Sequence, residues 1–214
     1  MATATTPHHL NATVLLGKGL TPGKLRGLQR ISNPNGTMTM AAFDQNSSMI
    51  EMAQKALKAK GQDREPSYEE IVEAKLDLLR QMSPAASGVL IDAYYGAWSA
   101  VASGAIPADK GMLVRVEKSG SPKNKAGGPM GEYEPGWSVE KIKLMGADAV
   151  KLLAPFEPGE PVSAEHNFAF IQDVYNDCRR YDILLLLEPI AFPYNGEKKT
   201  DKKYLDRKAE TVIE

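Results

Sequence analysis

Hydrophobic positions along this chain follow two alternating patterns. Short continuous apolar runs fall at residues 37–43, 87–91, 112–116, 147–154 and 183–187, and stretches of helical periodicity follow them. Parallel strands covered on both faces read as unbroken apolar segments, so five βα units are predicted. The runs close on charged or amide side chains: Asp44 with Gln45, Asp92, Glu117 with Lys118, Lys151 and Glu188. A (β/α) barrel keeps its chemistry at the C-terminal ends of its strands. The expected fold is therefore α/β, of the TIM (β/α)8-barrel type, truncated to about five βα units behind an N-terminal helical extension. A complete barrel needs eight strands and typically about 250 residues, so the chain reads as the first two thirds of an enzyme.

Capping signals punctuate the helices. Residues 1–20 read as a loosely held arm, and Thr21-Pro22-Gly23 opens a short helix through Ile31 that is suited to capping the bottom of a barrel. Ser47 or Ser48 starts a helix that Gly61 stops, and Ser67 with Glu70 forms a capping box for a second one, whose stripe is Ile71, Ala74, Leu78 and Met82. A modest helix is expected at 97–103. Another at 137–145 carries Val139, Ile142 and Met145 on one face and ends at Gly146. The clearest stripe, Ala164, Phe168, Ile171, Tyr175 and Cys178, predicts that the helix over 163–181 covers the sheet, and a last helix from Asp201 shows Leu205, Ala209 and Val212. Residues 119–135, rich in Gly, Pro and Lys, form a long loop of the kind that is often functional. The domain organisation is thus an arm over 1–20 and an incomplete barrel over 21–214.

Composition narrows the function classes. With 214 residues, 43% hydrophobic, 25% charged and a formal net charge of −1, the chain has a globular make-up. It carries no electrostatic footprint for nucleic acid or an anionic membrane. The single cysteine, Cys178, rules out an internal disulfide framework and fits a reducing compartment. Neither a signal peptide nor a run of transmembrane length is visible, so a cytoplasmic location is expected, and the sequons at Asn11 and Asn35 are chance matches.

Lys151 is the most informative side chain. A lysine inside a buried parallel strand is costly unless its surroundings use it. Burial and nearby cations lower its pKa, while a neighbouring carboxylate raises it. It suits either an attacking amine or a charged partner, and the plain alternative is a strand-end lysine that reaches solvent. Glu188, after an aliphatic run and before Pro189, stands at the mouth as a candidate general acid or base. With Asp44 and Asp92, four ionisable groups are expected to converge on one pocket. Gly127-Gly128-Pro129-Met130-Gly131 with Lys123 and Lys125 reads as a flexible loop rather than a phosphate cradle. Tyr94, Tyr95 and Trp98 fit a sugar pocket or plain packing. His8, His9 and His166 lack metal-ligand spacing, and no metal or other cofactor is expected.

Met40-Ala41-Ala42-Phe43-Asp44-Gln45, Leu90-Ile91-Asp92 with Tyr95-Gly96, Glu117-Lys118, Trp137-Ser138-Val139, Gly146-Ala147-Asp148-Ala149-Val150-Lys151-Leu152-Leu153 and Leu187-Glu188-Pro189 resemble, in order and spacing, the tagatose-1,6-bisphosphate aldolases and the related sulfofructose-phosphate aldolases. Glu188-Pro189 looks more like the sulfosugar branch. The resemblance implies a class I aldolase with a TIM barrel, no metal, and a strand-six lysine that forms a Schiff base with a phosphorylated ketose. It implies Glu188 and Lys151 as catalytic residues. Glu188 would take the proton from the C4 hydroxyl, and Lys151 would be a charged second lysine beside the imine. Asp44, Gln45 and Asp92 are implied as substrate-binding residues.

Asn46 departs from the Arg that often follows the Asp-Gln pair, and the Schiff-base lysine falls beyond Glu214. Lys151 could itself form the imine, as a strand-four lysine does in transaldolase. Two further readings stand beside the aldolase. One is a non-catalytic barrel remnant serving as a binding or oligomerisation module, a homo-oligomer included, through its open edges. The other is a barrel using its carboxylates with a metal.

Overall fold

The computed structural model describes residues 12–213. Five strands, β1 (Met40–Phe43), β2 (Gly88–Asp92), β3 (Gly111–Arg115), β4 (Ala149–Pro155) and β5 (Leu184–Ile190), form one parallel sheet in the order β1-β2-β3-β4-β5. Because each strand pairs with its successor and the crossovers share one hand, the connecting helices gather on one face and the sheet curls around the other. That is the sequential, barrel-type order expected from the apolar runs. It is not the reversing order of a doubly wound sheet.

The helices are α1 (Ala12–Gly17), α2 (Pro22–Arg30), α3 (Ser47–Ala59), α4 (Tyr68–Met82), α5 (Trp98–Ala102), α6 (Val139–Leu144), α7 (Pro161–Arg180) and α8 (Lys202–Ile213). Their starts follow the capping signals. Thr21 accepts from the Lys24 amide, and Ser67 and Glu70 form the reciprocal capping box. Gly61 and Gly146 take φ of +77° and +91° past the ends of α3 and α6, a conformation that disfavours side chains with a Cβ. Part of the expected arm is helical: α1 forms but buries no residue, and residues 1–11 lie outside the description.

Alternation along the strands sorts the core into two faces. Phe43, Val89, Ile91, Val114, Val150 and Leu152 pack against Leu76, Leu79, Val139, Ile142, Val174 and Cys178 of the helices. On the concave face, Leu90, Leu113 and Ala149 meet Ile31, with Leu28 and Met40 beside them, so α2 plugs the bottom of the sheet as expected. Arg30 reinforces the plug through the Ala108 carbonyl at 3.3 Å and Asp148 at 3.4 Å. A Cβ on Gly27 would fall 2.9 Å from the Asp148 carbonyl oxygen, so only glycine lets the helix approach so closely.

Three helix stripes differ from expectation. On α7 the buried face is Ser163, Asn167, Phe170, Val174 and Cys178, whereas Phe168 and Tyr175 are about half exposed. Polar residues displace the apolar ones because the 119–135 loop demands them. Asn167 accepts from the Gly131 amide at 2.7 Å and donates to the Pro129 carbonyl at 2.9 Å, and the Asn124 amide group donates to Glu160 at 2.8 Å. The loop is therefore pinned, not the flexible segment its glycines suggested. On α8, Leu205 and Val212 are exposed while Tyr204 is buried, its hydroxyl donating to the Ala191 carbonyl at 2.9 Å. On α4, Met82 is exposed and the inward positions include Lys75. The expected 97–103 helix begins earlier, as a π-helical turn over Ala93–Ala97 that Asp92 caps by accepting from the Tyr95 amide at 2.6 Å. Tyr95 stacks on Tyr68, and Tyr94 and Trp98 are exposed.

Candidate active site

Above the apolar layer on the concave face lies an ionic one. Two residues beyond Leu90, Leu113 and Ala149, the same alternation places Asp92, Arg115 and Lys151, which are neighbours in register: Asp92 opposite Arg115, and Arg115 opposite Lys151. Asp44, directly after Phe43 opposite Ile91, falls level with Asp92, and a further step brings Glu117 and Glu188 to the strand ends. The ammonium of Lys151 is buried and sits 3.0 Å from Asp44 Oδ2, 3.1 Å from Glu188 Oε2 and 3.8 Å from Glu117 Oε1. Three carboxylates carried by three strands thus converge on one lysine. Glu188, on the outermost strand, is half exposed, whereas Asp44 and Glu117 are buried.

Electrostatics follow from this arrangement. Burial pulls the Lys151 pKa down, but Glu117, Asp44 and hydrogen bonds to Asp44 and Glu188 outweigh it, and the net shift is upward. Lys151 is therefore held as an ammonium. Glu117 shows the opposite balance: burial outweighs the attraction of Lys151 and Arg115, and its pKa is pushed up to about 7. Glu117 Oε2 and Arg115 Nε have no hydrogen-bond partner.

Asp44, Lys151 and Glu188 meet directly. Gln45, the next residue after Asp44 along the chain, is exposed. Asp92 is placed differently: it is buried, and both of its oxygens are used, one by the Tyr95 amide and one by Lys75. Lys75 reaches in from α4 and spends its three donors on Asp92, on the Phe43 carbonyl at 2.9 Å and on Asn46 Oδ1 at 2.9 Å. Asn46 is thereby tied down, locking the turn after β1 to the end of β2. Burial lowers the Lys75 pKa against the pull of Asp92.

Lys75, Arg115 and Glu117 are central side chains that the sequence reading did not assign. Lys75 lies between Glu73 and Asp77, a local pattern that carries no mark of burial. For Arg115 and Glu117 a signal did exist: period-2 continuation of Leu113 through 115 and 117 places both on the concave face. Arg115 also donates to the Asp44 main-chain carbonyl, fixing the backbone that presents Asp44.

Comparisons with known proteins agree with this picture. Tagatose 1,6-diphosphate aldolase of Listeria monocytogenes serotype 4a (strain HCC23) is 34% identical over 188 residues, covering 87% of this chain and 52% of that protein. Its counterpart in Streptococcus agalactiae serotype V (strain ATCC BAA-611 / 2603 V/R) is 31% identical over 201 residues, covering 92% and 58%. The chain thus spans about half the length of the curated relatives it matches. Among solved structures, a Schiff-base-forming fructose-1,6-bisphosphate aldolase and an archaeal fructose 1,6-bisphosphate aldolase each superpose with a TM-score of 0.52 at 15% identity. They cover 87% of this chain and 65% and 64% of theirs, a likeness of fold. The family model described as "DeoC/LacD family aldolase" matches residues 38–214, from just before β1 through the ionic layer and β5, and the chain belongs to that family.

Proposed function

We propose that these residues form the strand-one to strand-five part of a class I aldolase site that cleaves a phosphorylated ketose, such as tagatose 1,6-bisphosphate or sulfofructose 1-phosphate, into dihydroxyacetone phosphate and an aldehyde. The observation that carries the reading is the position of the Lys151 ammonium, 3.0 Å from Asp44 and 3.1 Å from Glu188 at the C-terminal end of the sheet. Glu188, half exposed at the mouth, accepts the proton of the C4 hydroxyl as the C3–C4 bond breaks. The bonding pair passes to the protonated imine, leaving an enamine, and the C4 carbon departs as an aldehyde. Lys151 holds its proton throughout. Its charge orients Glu188 and stabilises oxyanion character on the reacting hydroxyl. Asp44 and Gln45 bind sugar hydroxyls, and Asp92 acts through Lys75 to hold their turn in place.

By the family resemblance, the imine-forming amine would stand on a sixth strand, and the sheet of the described residues has five. The two buried lysines among the described residues are accounted for: Lys75 has all three donors committed and Lys151 is held as an ammonium, so neither is poised to attack a ketone. The test is retro-aldol cleavage of tagatose 1,6-bisphosphate by the protein at its native length, read as dihydroxyacetone phosphate release. Borohydride trapping with mass spectrometry then locates the adduct. Release with an adduct on a lysine other than 75 and 151 is expected. An adduct on Lys151 would make it the nucleophile, and neither release nor adduct would refute the reading.

A second reading, a non-catalytic binding module, draws on β5. It is an edge strand among the described residues, with Leu187 43% exposed, which suits pairing with further strands of this or another chain. No described helix is long and apolar enough to cross a membrane.

A further inference from the structure

We propose that the outward face of α7 is a self-complementary surface that a second copy of this chain covers, running antiparallel about a two-fold axis near Gln172. Seen down the helix axis, α7 has two faces. Ser163, Asn167, Phe170, Val174 and Cys178 are buried. Glu165, Phe168, Gln172, Tyr175 and Arg179 are exposed. At 3.6 residues per turn these five point within about 60° of Gln172, on the side opposite the buried set. They recur at alternating steps of three and four residues, which is the spacing of a helix–helix seam.

The seam carries apolar surface. Phe168 is 54% exposed and Tyr175 49%, two turns apart along one line of a 20-residue helix. A lone exposed hydrophobic residue is ordinary, but aromatics aligned at seam spacing are the residue type that anchors interfaces. Antiparallel pairing about Gln172 sets Tyr175 over Ala169 of the second copy, a small side chain that leaves room for the ring.

Charge selects the occupant and its direction. Glu165 and Arg179 close the two ends of the seam, and among the described residues neither has an ion-pair partner. The Arg179 guanidinium lies 5.9 Å from the centre of the Tyr175 ring, on the seam itself. Antiparallel pairing sets each Glu165 beside Arg179 of the other copy, and the two-fold axis makes that contact twice. Parallel pairing sets like charge beside like. The helix dipoles also favour the antiparallel arrangement. A foreign helix must carry the same charges in reverse order, whereas a second copy supplies them by symmetry. Gln172 meets itself across the axis, where an amide both donates and accepts.

Sedimentation of the 214-residue chain tests the surface. One helix pair makes a small interface, so a dimer with a dissociation constant on the order of 10 μM is expected. E165R and R179E each bring like charges together at both ends of the seam, and each should raise that constant at least about tenfold. Both positions are exposed, so the parent urea midpoint should be kept. Mixed in equal amounts, the two variants should form a heterodimer about as tight as the parent dimer, because the reversed end of one meets the reversed end of the other. A parent that stays monomeric up to about 500 μM overturns the proposal. So does a dimer indifferent to both reversals, as an assembly through the β5 edge is, and so does the absence of a heterodimer on mixing.

Discussion

Glu117 makes a quantitative prediction about stability and pH. Its carboxyl is buried at the end of β3, with Lys151 and Arg115 each 3.8 Å away, too far to make up for lost hydration, and its pKa rises from 4.5 to about 7. The sign follows from proton binding. Between these values the folded chain holds a proton that the unfolded chain has released, so stability falls as pH rises. This contribution is fully present below the unfolded pKa and is lost once pH passes the folded one. A shift of this size at about 1.4 kcal/mol per unit gives about 3 kcal/mol lost between pH 4 and pH 8. Glu117→Gln removes the titration while keeping the shape. Urea unfolding at pH 5 and pH 8 should therefore show the parent's pH dependence shrinking by about 2.5 kcal/mol in the variant, with E117Q the more stable protein at pH 8. An unchanged pH dependence, or a variant less stable at pH 8, would refute the reasoning and make Glu117 a stabilising counter-charge for Lys151.

Other perturbations separate structural from chemical roles. Lys75→Met strands a buried Asp92 and should cost about 3–5 kcal/mol in urea unfolding, with Asp92→Asn in the same chain recovering part of it; a cost below about 1 kcal/mol would mean that the pair is not buried as described. Glu188→Gln, at a half-exposed edge position, should leave the unfolding midpoint in place while lowering kcat of the native-length protein by about 10²–10⁴-fold. Full activity in that variant would remove Glu188 from the proton transfer. Asn167→Ala deletes the side chain that fastens the loop, and hydrogen exchange at Gly131 should accelerate markedly with a stability loss of about 1–3 kcal/mol. Protection equal to the parent's would place the loop's anchor elsewhere.

The sequence by itself determined the architecture, because the information needed was local. Strands buried on both faces must be continuously apolar, and helix ends must satisfy orphaned backbone groups, so the five runs and caps such as Ser67 with Glu70 locate the elements within a few residues. The order of those elements implied a sequential parallel sheet, and with it the delivery of Asp44, Lys151 and Glu188 to one end. Helix stripes were less secure, since a pattern such as Ala164, Phe168, Ile171 and Tyr175 records hydrophobicity alone. Which face turns inward on α7 was decided by the hydrogen bonds that a loop more than thirty residues upstream required of Ser163 and Asn167.

Only the tertiary structure decided protonation and role. Asp44 and Lys151 are 107 positions apart, and Lys75 reaches Asp92 and Asn46 from a helix whose local pattern carries no mark of its burial. A charge's pKa depends on how much water it loses and on which groups lie within a few ångströms. Those neighbours are assembled by chain segments far apart in sequence, and that is why Asp92 became an anchor, Glu117 a proton-holding acid and Lys151 a fixed cation.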